Sequence, residues 1–218
     1  MKLINSVTSA FGRKIAIALK EKDIPFEMVW DIPWNDQTIV PQYSPLEQLP
    51  ILVTDDGEHV YDSMYIVDWL ERRYPNPPLL PADTDAALAA MRLQKLGERL
   101  AEILVLAAFE EVREHPSGEW IARQQRKFKG GLAEMARLVG DRAPATTDPI
   151  HYGDIAAAVA LVWFDFMPTH GILASVEEAK WRDKYPNLVT FLDALQLRPS
   201  FRQTQPEMMD MDVPAVVA

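Results

Sequence analysis

The chain of 218 residues contains no cysteine. This absence excludes disulfides, thiolate metal ligands and a cysteine nucleophile, so any thiol chemistry would need a thiol that a ligand supplies. The four histidines stand apart, and none has metal-ligand spacing to another histidine or an acid. Glycine-rich phosphate loops are also missing. We therefore expect no metal site, and we expect neither a metalloenzyme nor a cysteine-dependent enzyme.

Long apolar runs and basic regions are missing as well. The longest apolar run, 155–164, ends at Asp165 and is too short to span a membrane. Polar residues break up the N-terminus from Asn5 onward, which leaves no signal-type apolar core. The net charge is −10, with −5 over residues 1–81 and −5 over the remainder. We expect a soluble, cytoplasmic protein with no nucleic-acid or membrane partner.

The periodicity of the apolar residues predicts an α/β half followed by an all-α half. In the first half, strands are predicted at 2–6, 24–30, 49–54 and 58–61, and helices at 11–22 and 64–74. Prolines at 75, 77, 78 and 81 indicate a stiff linker. Only helices are predicted beyond it, at 85–115, 119–139, 154–166, 176–185 and 187–196. The predicted domains are 1–78 and 84–205, with a tail at 206–218.

The most informative stretch lies between residues 48 and 63. Leu49-Pro50 opens a β-branched run, Asp56-Gly57 supplies a hairpin turn, and Asp62-Ser63 precedes an apolar-periodic helix. This order resembles the glutathione-binding half of the glutathione S-transferase family, within a thioredoxin-like βαβ-ββα domain. The segment 6–14, which reads SVTSAFGRK, resembles the Ser-x-x-Ser-Pro-Phe-x-Arg-Lys pattern of small bacterial members.

The resemblance implies a set of glutathione contacts. A cis Leu49-Pro50 bond would offer backbone contacts to the cysteinyl residue, since X-Pro bonds are the ordinary place for cis peptides. Ser63 would bind the γ-glutamyl carboxylate and Asp62 would face its ammonium group. The remaining glutathione contacts predicted by resemblance are Gln48 and Trp34. Asp62 stands where the family has Glu, and Gln48 stands where many relatives have Lys. Without this context, Asp-Ser before a helix predicts a cap.

Ser9 is the predicted activating hydroxyl, by resemblance to Ser-type members. A free thiol has a pKa of ~8.5, and one hydrogen-bond donor beside a helix N-terminus lowers the pKa of such a group. A serine before a helix is also an ordinary N-cap, and that alternative stays open. Ser6 and Thr8 are rival hydroxyls. Ala10 replaces the family proline.

The pocket for a hydrophobic electrophile is predicted to draw on both halves. Phe11 and Trp34 would wall it from the first half, although packing explains Trp34 equally well. The helical half would add Phe109, Arg113 and Trp120. Two further pairs on the helices have alternatives. Glu98 and Glu102 would reach a partner subunit's glutathione or lie on a charged helix face. Arg13 and Lys14 would form a solvated face or tether the domains, or one of them would compensate for the neutral amide of Gln48.

The predicted function is a homodimeric glutathione transferase that uses glutathione as co-substrate, holds no metal and activates the thiol through Ser9. Two alternatives remain. A binding or scaffold protein would keep the fold without efficient catalysis, which the departures at Ala10, Gln48 and Asp62 suggest. A glutathione-dependent isomerase, dehalogenase or peroxidase would use the same scaffold for other chemistry, because a fold does not determine a reaction.

Overall fold

The computed structural model describes residues 1–174 and 176–209. Its first half holds a four-stranded sheet in the order β2-β1-β3-β4. The elements run β1 (Lys2–Asn5), α1 (Ala10–Glu21), β2 (Glu27–Trp30), α2 (Val40–Tyr43), β3 (Ile51–Val53), β4 (His59–Val60) and α3 (Ser63–Arg73). β1 pairs in parallel with β2 and antiparallel with β3, which pairs antiparallel with β4. The predicted thioredoxin-like βαβ-ββα order is confirmed.

Alternation along the strands covers both faces of this sheet. Leu3 joins the main core, whereas its neighbour Ile4 packs with Val40 and Ile51 in a smaller cluster on the other face. Val40 belongs to α2, a four-residue helix that the sequence analysis missed. The segment is too short to show helical periodicity.

The second half is all-helical, as predicted. Its elements are α4 (Thr84–Glu111), α5 (Gly118–Val139), α6 (Tyr152–Thr169), α7 (Trp181–Lys184), α8 (Pro186–Gln196) and α9 (Pro199–Arg202). The single helix predicted at 176–185 is wrong: a 3-10 turn, Glu177–Lys180, precedes α7. Trp181 is fully buried and its indole N–H donates to Asp165 at 2.8 Å.

α6 is the central helix, and it is buried along almost its whole length, as its apolar sequence predicted. α4 packs closely against α6 because each helix has a glycine at the contact, Gly97 on α4 and Gly153 on α6. A Cβ on Gly97 would come within 2.6 Å of the Ala156 carbonyl, and one on Gly153 within 2.5 Å of the Ala90 carbonyl oxygen. His151 precedes α6, where Asp154 accepts its backbone N–H at 3.3 Å and so caps the helix.

One hydrophobic core extends through both halves, from Leu3 on the sheet to Phe201 in α9. Polar contacts cross the same boundary, including the Tyr152 hydroxyl donating to the Val67 carbonyl at 3.2 Å. The predicted divisions at 78, 84 and 206 stay predictions, and residues 210–218 of the predicted tail lie outside the described residues. Among the described helices, none combines the length and apolarity needed to cross a membrane.

Candidate functional site

Ser9 lies in the loop that carries the chain from β1 into α1. Its backbone is extended (φ −64°, ψ 116°) and its Oγ accepts the Gly12 N–H at 3.1 Å, so Ser9 is the N-cap of α1. A hydroxyl has one proton to donate and two lone pairs that accept. The cap uses a lone pair, which leaves the proton free. The cap and the predicted thiol contact are therefore chemically compatible.

The rival hydroxyls are differently placed. Thr8 Oγ1 donates to the Glu207 carbonyl at 2.6 Å, so its proton is already used. The Thr8 carbonyl accepts the Trp163 indole N–H at 2.8 Å. Ser6 is buried, whereas Ser9 is half-buried. This arrangement favours Ser9 over Thr8 and Ser6 as the exposed donor of the loop.

The start of the predicted tail contributes to the same loop. Besides accepting from Thr8, Glu207 donates its backbone N–H to the Val7 carbonyl at 3.2 Å. Together with Trp163 of α6, this segment holds the loop that precedes Ser9. Sequence reasoning missed these three contacts, because their partners lie 155 to 200 positions apart along the chain and no local pattern signals them.

The Leu49-Pro50 bond is cis, as predicted. Pro50 is buried, Leu49 is half-buried and Gln48 is exposed. The Tyr61-Asp62 bond, just before α3, is cis as well. The loop before β3 and the start of α3 are thus the two backbone features that flank the predicted glutathione site. Position 48 carries a neutral amide, so the loop has no positive charge at that point.

Asp62 and Ser63 make different hydrogen bonds at the start of α3. Asp62 is the N-cap, and its Oδ1 accepts the backbone N–H groups of Met64 at 2.9 Å and Tyr65 at 3.2 Å. Its other carboxylate oxygen accepts no hydrogen bond from the described residues. Ser63 is the first residue of the helix and is buried, and its Oγ accepts a hydrogen bond from Lys14 Nζ at 3.2 Å.

Lys14 and Glu98 form a buried ion pair between α1 and α4, with only 2% and 8% of their side chains exposed. The prediction of a solvated face for Arg13 and Lys14 is wrong, and the tether between the halves is what Lys14 provides. Burial lowers the pKa of the Lys14 ammonium, and the Glu98 carboxylate opposes that shift. Sequence reasoning missed this pair because Lys14 and Glu98 are 84 positions apart.

Arg13 is also buried, under the ring of Phe201 and hydrogen-bonded to the Phe201 carbonyl at 3.4 Å. Burial lowers its pKa to about 10. Glu98 is committed to Lys14 within its own chain, which removes it as a residue that reaches a partner subunit. Glu102 is exposed and pairs with Arg99 on the same helix, as the charged-face alternative describes.

Two aromatic contacts bring predicted pocket residues together. Trp34 packs edge-on against Phe109 with ring centroids 5.0 Å apart, although half of its surface is exposed. Phe11 packs edge-on against Trp163 at 6.2 Å. Each contact joins the first half of the chain to the helical half. The predicted wall at Phe11, Trp34 and Phe109 therefore lies along this boundary.

Arg113 and Trp120 take other places. Arg113 lies just beyond the end of α4, exposed and 3.9 Å from Glu110. Trp120 is in the first turn of α5, half-buried against the main core. Their predicted pocket roles stay predictions.

Two cavities lie at opposite ends of α1. One, of about 10 Å³, is lined by Lys14, Glu98 and small apolar side chains near Phe11. The other, of about 770 Å³, is lined by Lys20, Phe26, Arg198 and their neighbours, and contains none of the predicted site residues. Its acid, Glu21, is already paired with Arg198 at 2.8 Å. Among the described residues, no group of three or more histidines and acids is arranged to hold a metal.

A thioredoxin-like domain with a cis-proline loop, followed by an all-helical domain, defines the class of fold. The sequence profile of the glutathione S-transferase N-terminal domain matches residues 3–78, and that of the C-terminal domain matches residues 118–194. The chain belongs to the glutathione S-transferase family.

Individual relatives agree with this assignment. A glutathione S-transferase from Methylobacterium radiotolerans, solved in complex with glutathione sulfonate, is 42% identical over 96% of each chain, with a TM-score of 0.87. The uncharacterized GST-like protein YibF of Escherichia coli K12 is 30% identical, covering 94% of this chain and 98% of that protein. Maleylacetoacetate isomerase of Pseudomonas aeruginosa is 27% identical, covering 91% of this chain and 92% of that protein.

Proposed function

We propose that this protein is a glutathione transferase that binds glutathione in its N-terminal domain and activates the thiol through Ser9. The observation that carries the proposal is the Ser9 hydroxyl, which caps α1 with a lone pair and keeps its proton. The relative in complex with glutathione sulfonate supports the choice of ligand. The absence of cysteine agrees with a thiol that comes from the ligand.

The proposed contacts rest on the family resemblance, and the geometry of the two loops is compatible with them. The cis Leu49-Pro50 loop would meet the cysteinyl backbone, with Gln48 and Trp34 at its rim. Ser63 would donate to the γ-glutamyl carboxylate, and the open oxygen of Asp62 would accept from the ammonium group. The sulfur would then lie at the start of α1, where the helix dipole favours negative charge. A donor and a dipole at that point stabilise the thiolate relative to the thiol.

The apolar electrophile would lie along the boundary between the halves, beside Phe11, Trp34 and Phe109. Arg113 and Trp120 extend this proposed pocket along α4 and α5. The protein would form no covalent bond. Rate enhancement would come from holding the two reactants together and from stabilising the thiolate.

The test is a pH titration of the ultraviolet thiolate band of glutathione mixed with the protein. A bound thiolate that appears well below the free-thiol pKa of ~8.5 supports the proposal. Ser9→Ala is expected to lower kcat by a factor of about 10² and to leave glutathione affinity nearly unchanged, because one donor to a developing charge is removed. Ser6→Ala is the matched control. Unchanged turnover in Ser9→Ala would exclude Ser9, and no bound glutathione would favour the scaffold alternative.

A glutathione-dependent isomerase is the second candidate, and the likeness to maleylacetoacetate isomerase favours it. In such a reaction the thiolate adds to a double bond and is expelled again after rotation, so glutathione is regenerated. Conjugation instead consumes one thiol for each product. Turnover of maleylacetoacetate with constant total thiol would identify the isomerase, whereas loss of thiol with an aryl halide would identify the transferase.

We also propose that the protein works as a homodimer in the cytoplasm. The support is the family resemblance, together with the exposed aromatic and aliphatic side chains that a dimer interface would cover, among them Tyr65, Leu88 and Met91. Analytical ultracentrifugation at micromolar concentration tests the assembly. A monomer at all concentrations would exclude the proposed homodimer.

A further inference from the structure

Lys14 is the buried cation nearest to the proposed carboxylate-binding serine. Its side chain, 2% exposed, runs from α1 to the first turn of α3, and Nζ lies 3.2 Å from Ser63 Oγ. Full burial of an ammonium is costly unless it is paired. The pairing with Glu98 from the other half of the chain keeps the charge in place.

The direction of the Lys14–Ser63 hydrogen bond is determined by chemistry. An ammonium group only donates, whereas a hydroxyl both donates and accepts. Lys14 therefore donates to a lone pair of Ser63 Oγ, and the Ser63 proton points away from Lys14. The hydroxyl is polarised by a positive charge behind it, which strengthens it as a donor to an anion.

Lys14 is 2% exposed, so its ammonium group has almost no surface to present to a ligand. The adjoining cavity, about 10 Å³ in volume, is of the size of a single water molecule and is lined by Ala10, Gly97, Ala101 and their neighbours. Any effect of the ammonium on glutathione must therefore pass through Ser63 and through its electrostatic field. That field matters because the chain carries a net charge of −10 and Gln48 is neutral.

We propose that Lys14 is a positioning residue for carboxylate recognition. It orients the Ser63 hydroxyl toward the γ-glutamyl carboxylate of glutathione and supplies the positive charge that position 48 lacks. Glu98 holds Lys14 in place and thereby links the helical half to the ligand site. The inference rests on the proposed function, since it assigns Ser63 to that carboxylate.

The test compares two ligands by isothermal titration calorimetry. One is glutathione, and the other is 4-aminobutyryl-cysteinyl-glycine, which keeps the amine and thiol but lacks the γ-glutamyl carboxylate. The principal variant is Lys14→Met with Glu98→Gln, because removing both charges avoids an unpaired buried carboxylate. We expect its Kd for glutathione to rise about tenfold, as for one lost charge-assisted bond. Its Kd for the analogue should not change.

Three controls make the result specific. Arg13→Met removes the neighbouring buried cation, which does not contact Ser63, and should leave both affinities unchanged. Glu98→Gln alone removes the partner that keeps the buried ammonium charged and in place, so it should also weaken glutathione binding, by no more than the double variant does, and leave the analogue unaffected. Adding Ser63→Ala to the double variant should cause a smaller further loss than Ser63→Ala causes in the wild-type protein, because the two residues are coupled.

The outcomes separate cleanly. An equal loss for both ligands would show a merely structural role for Lys14, and unchanged affinity for glutathione would show no role at the site. Either result overturns this inference while wild-type binding of glutathione still stands. Failure of the wild-type protein to bind glutathione would overturn the proposed function and this inference together.

Discussion

α1 is tied to the helical half at both ends, and the two ties differ in how completely their polar atoms are satisfied. Near its C-terminus, Glu21 accepts from Arg198 through Nε at 3.0 Å and Nη2 at 2.8 Å, and from Ser200. Arg198 also donates through Nη1 to two backbone carbonyls, at 3.2 and 3.0 Å. Near its N-terminus, Lys14 is shared between Glu98 and Ser63, and the Ser63 proton is left over.

The difference distinguishes a structural contact from one that we propose also serves a ligand. All partners of the Glu21–Arg198 cluster belong to the chain, so its contribution is complete in the folded protein. The Lys14 cluster ends on a hydroxyl at a helix N-terminus, where anions bind readily. Similar residues at the two ends of one helix therefore have different expected consequences when they are changed.

The largest expected effect comes from Arg198→Met. Removing one partner of a buried ion pair leaves the other charge uncompensated, so the free energy of unfolding should fall by about 3 kcal/mol. Urea denaturation followed by circular dichroism measures it. Glutathione affinity of the folded protein should not change. Arg198→Met with Glu21→Gln should recover only part of the loss, because Arg198 also donates to two backbone carbonyls. A double variant as unstable as the single one would contradict the pairing.

The same cluster predicts a pH dependence of stability. Burial raises the pKa of the Glu21 carboxyl, but hydrogen bonds from Arg198 and Ser200 outweigh burial, so the pKa is lowered on folding. A lowered folded pKa stabilises the protein above the unfolded pKa of about 4.3, and this contribution is lost as pH falls through the folded value. The Tm difference between wild type and Glu21→Gln should therefore be full at neutral pH and shrink under acid. A constant difference would exclude Glu21 as the titrating group.

A smaller effect is expected where the two halves meet through aromatic rings. Trp34→Ala removes the edge-on contact with Phe109, and aromatic pairs of this kind contribute about 0.5–1.5 kcal/mol. The proposed pocket also loses the contact between the Trp34 ring and an aromatic electrophile. KM for that electrophile should therefore rise about threefold, with kcat nearly unchanged. Trp30→Ala, at another exposed tryptophan, is the control. Equal changes in both variants would exclude Trp34 from the pocket.

The smallest effect is expected at Glu102. Exposed ion pairs on a helix surface contribute less than about 0.5 kcal/mol, and Glu102 pairs only with Arg99 among the described residues. Glu102→Gln should therefore leave stability and glutathione affinity unchanged in denaturation and calorimetry. A clear loss of affinity would restore the predicted reach toward a partner subunit's glutathione.

Local patterns account for the parts of the fold that the sequence predicted well. The order of strands and helices along the chain and the long helices follow from periodicity over many residues, which averages out single exceptions. Short elements such as α2 and α9 were missed, because four residues show no helical period, and the single helix at 176–185 was wrong. The cis bond at Leu49-Pro50 was predicted because proline makes it accessible and the flanking residues match a family pattern.

The sequence by itself determined the fold class, the family resemblance and which hydroxyls and acids to consider. Tertiary structure alone decided which of them lie together and which are already hydrogen-bonded. The sequence left Lys14 between a solvated face and a tether of the two halves, because a lysine beside an arginine on a helix is ordinarily exposed. Its burial depends on Glu98, 84 residues away, and the Thr8 hydroxyl is engaged by Glu207, which leaves Ser9 as the proposed donor. Such pairings arise only when distant segments pack, since burial makes each polar group need a partner that local sequence does not specify.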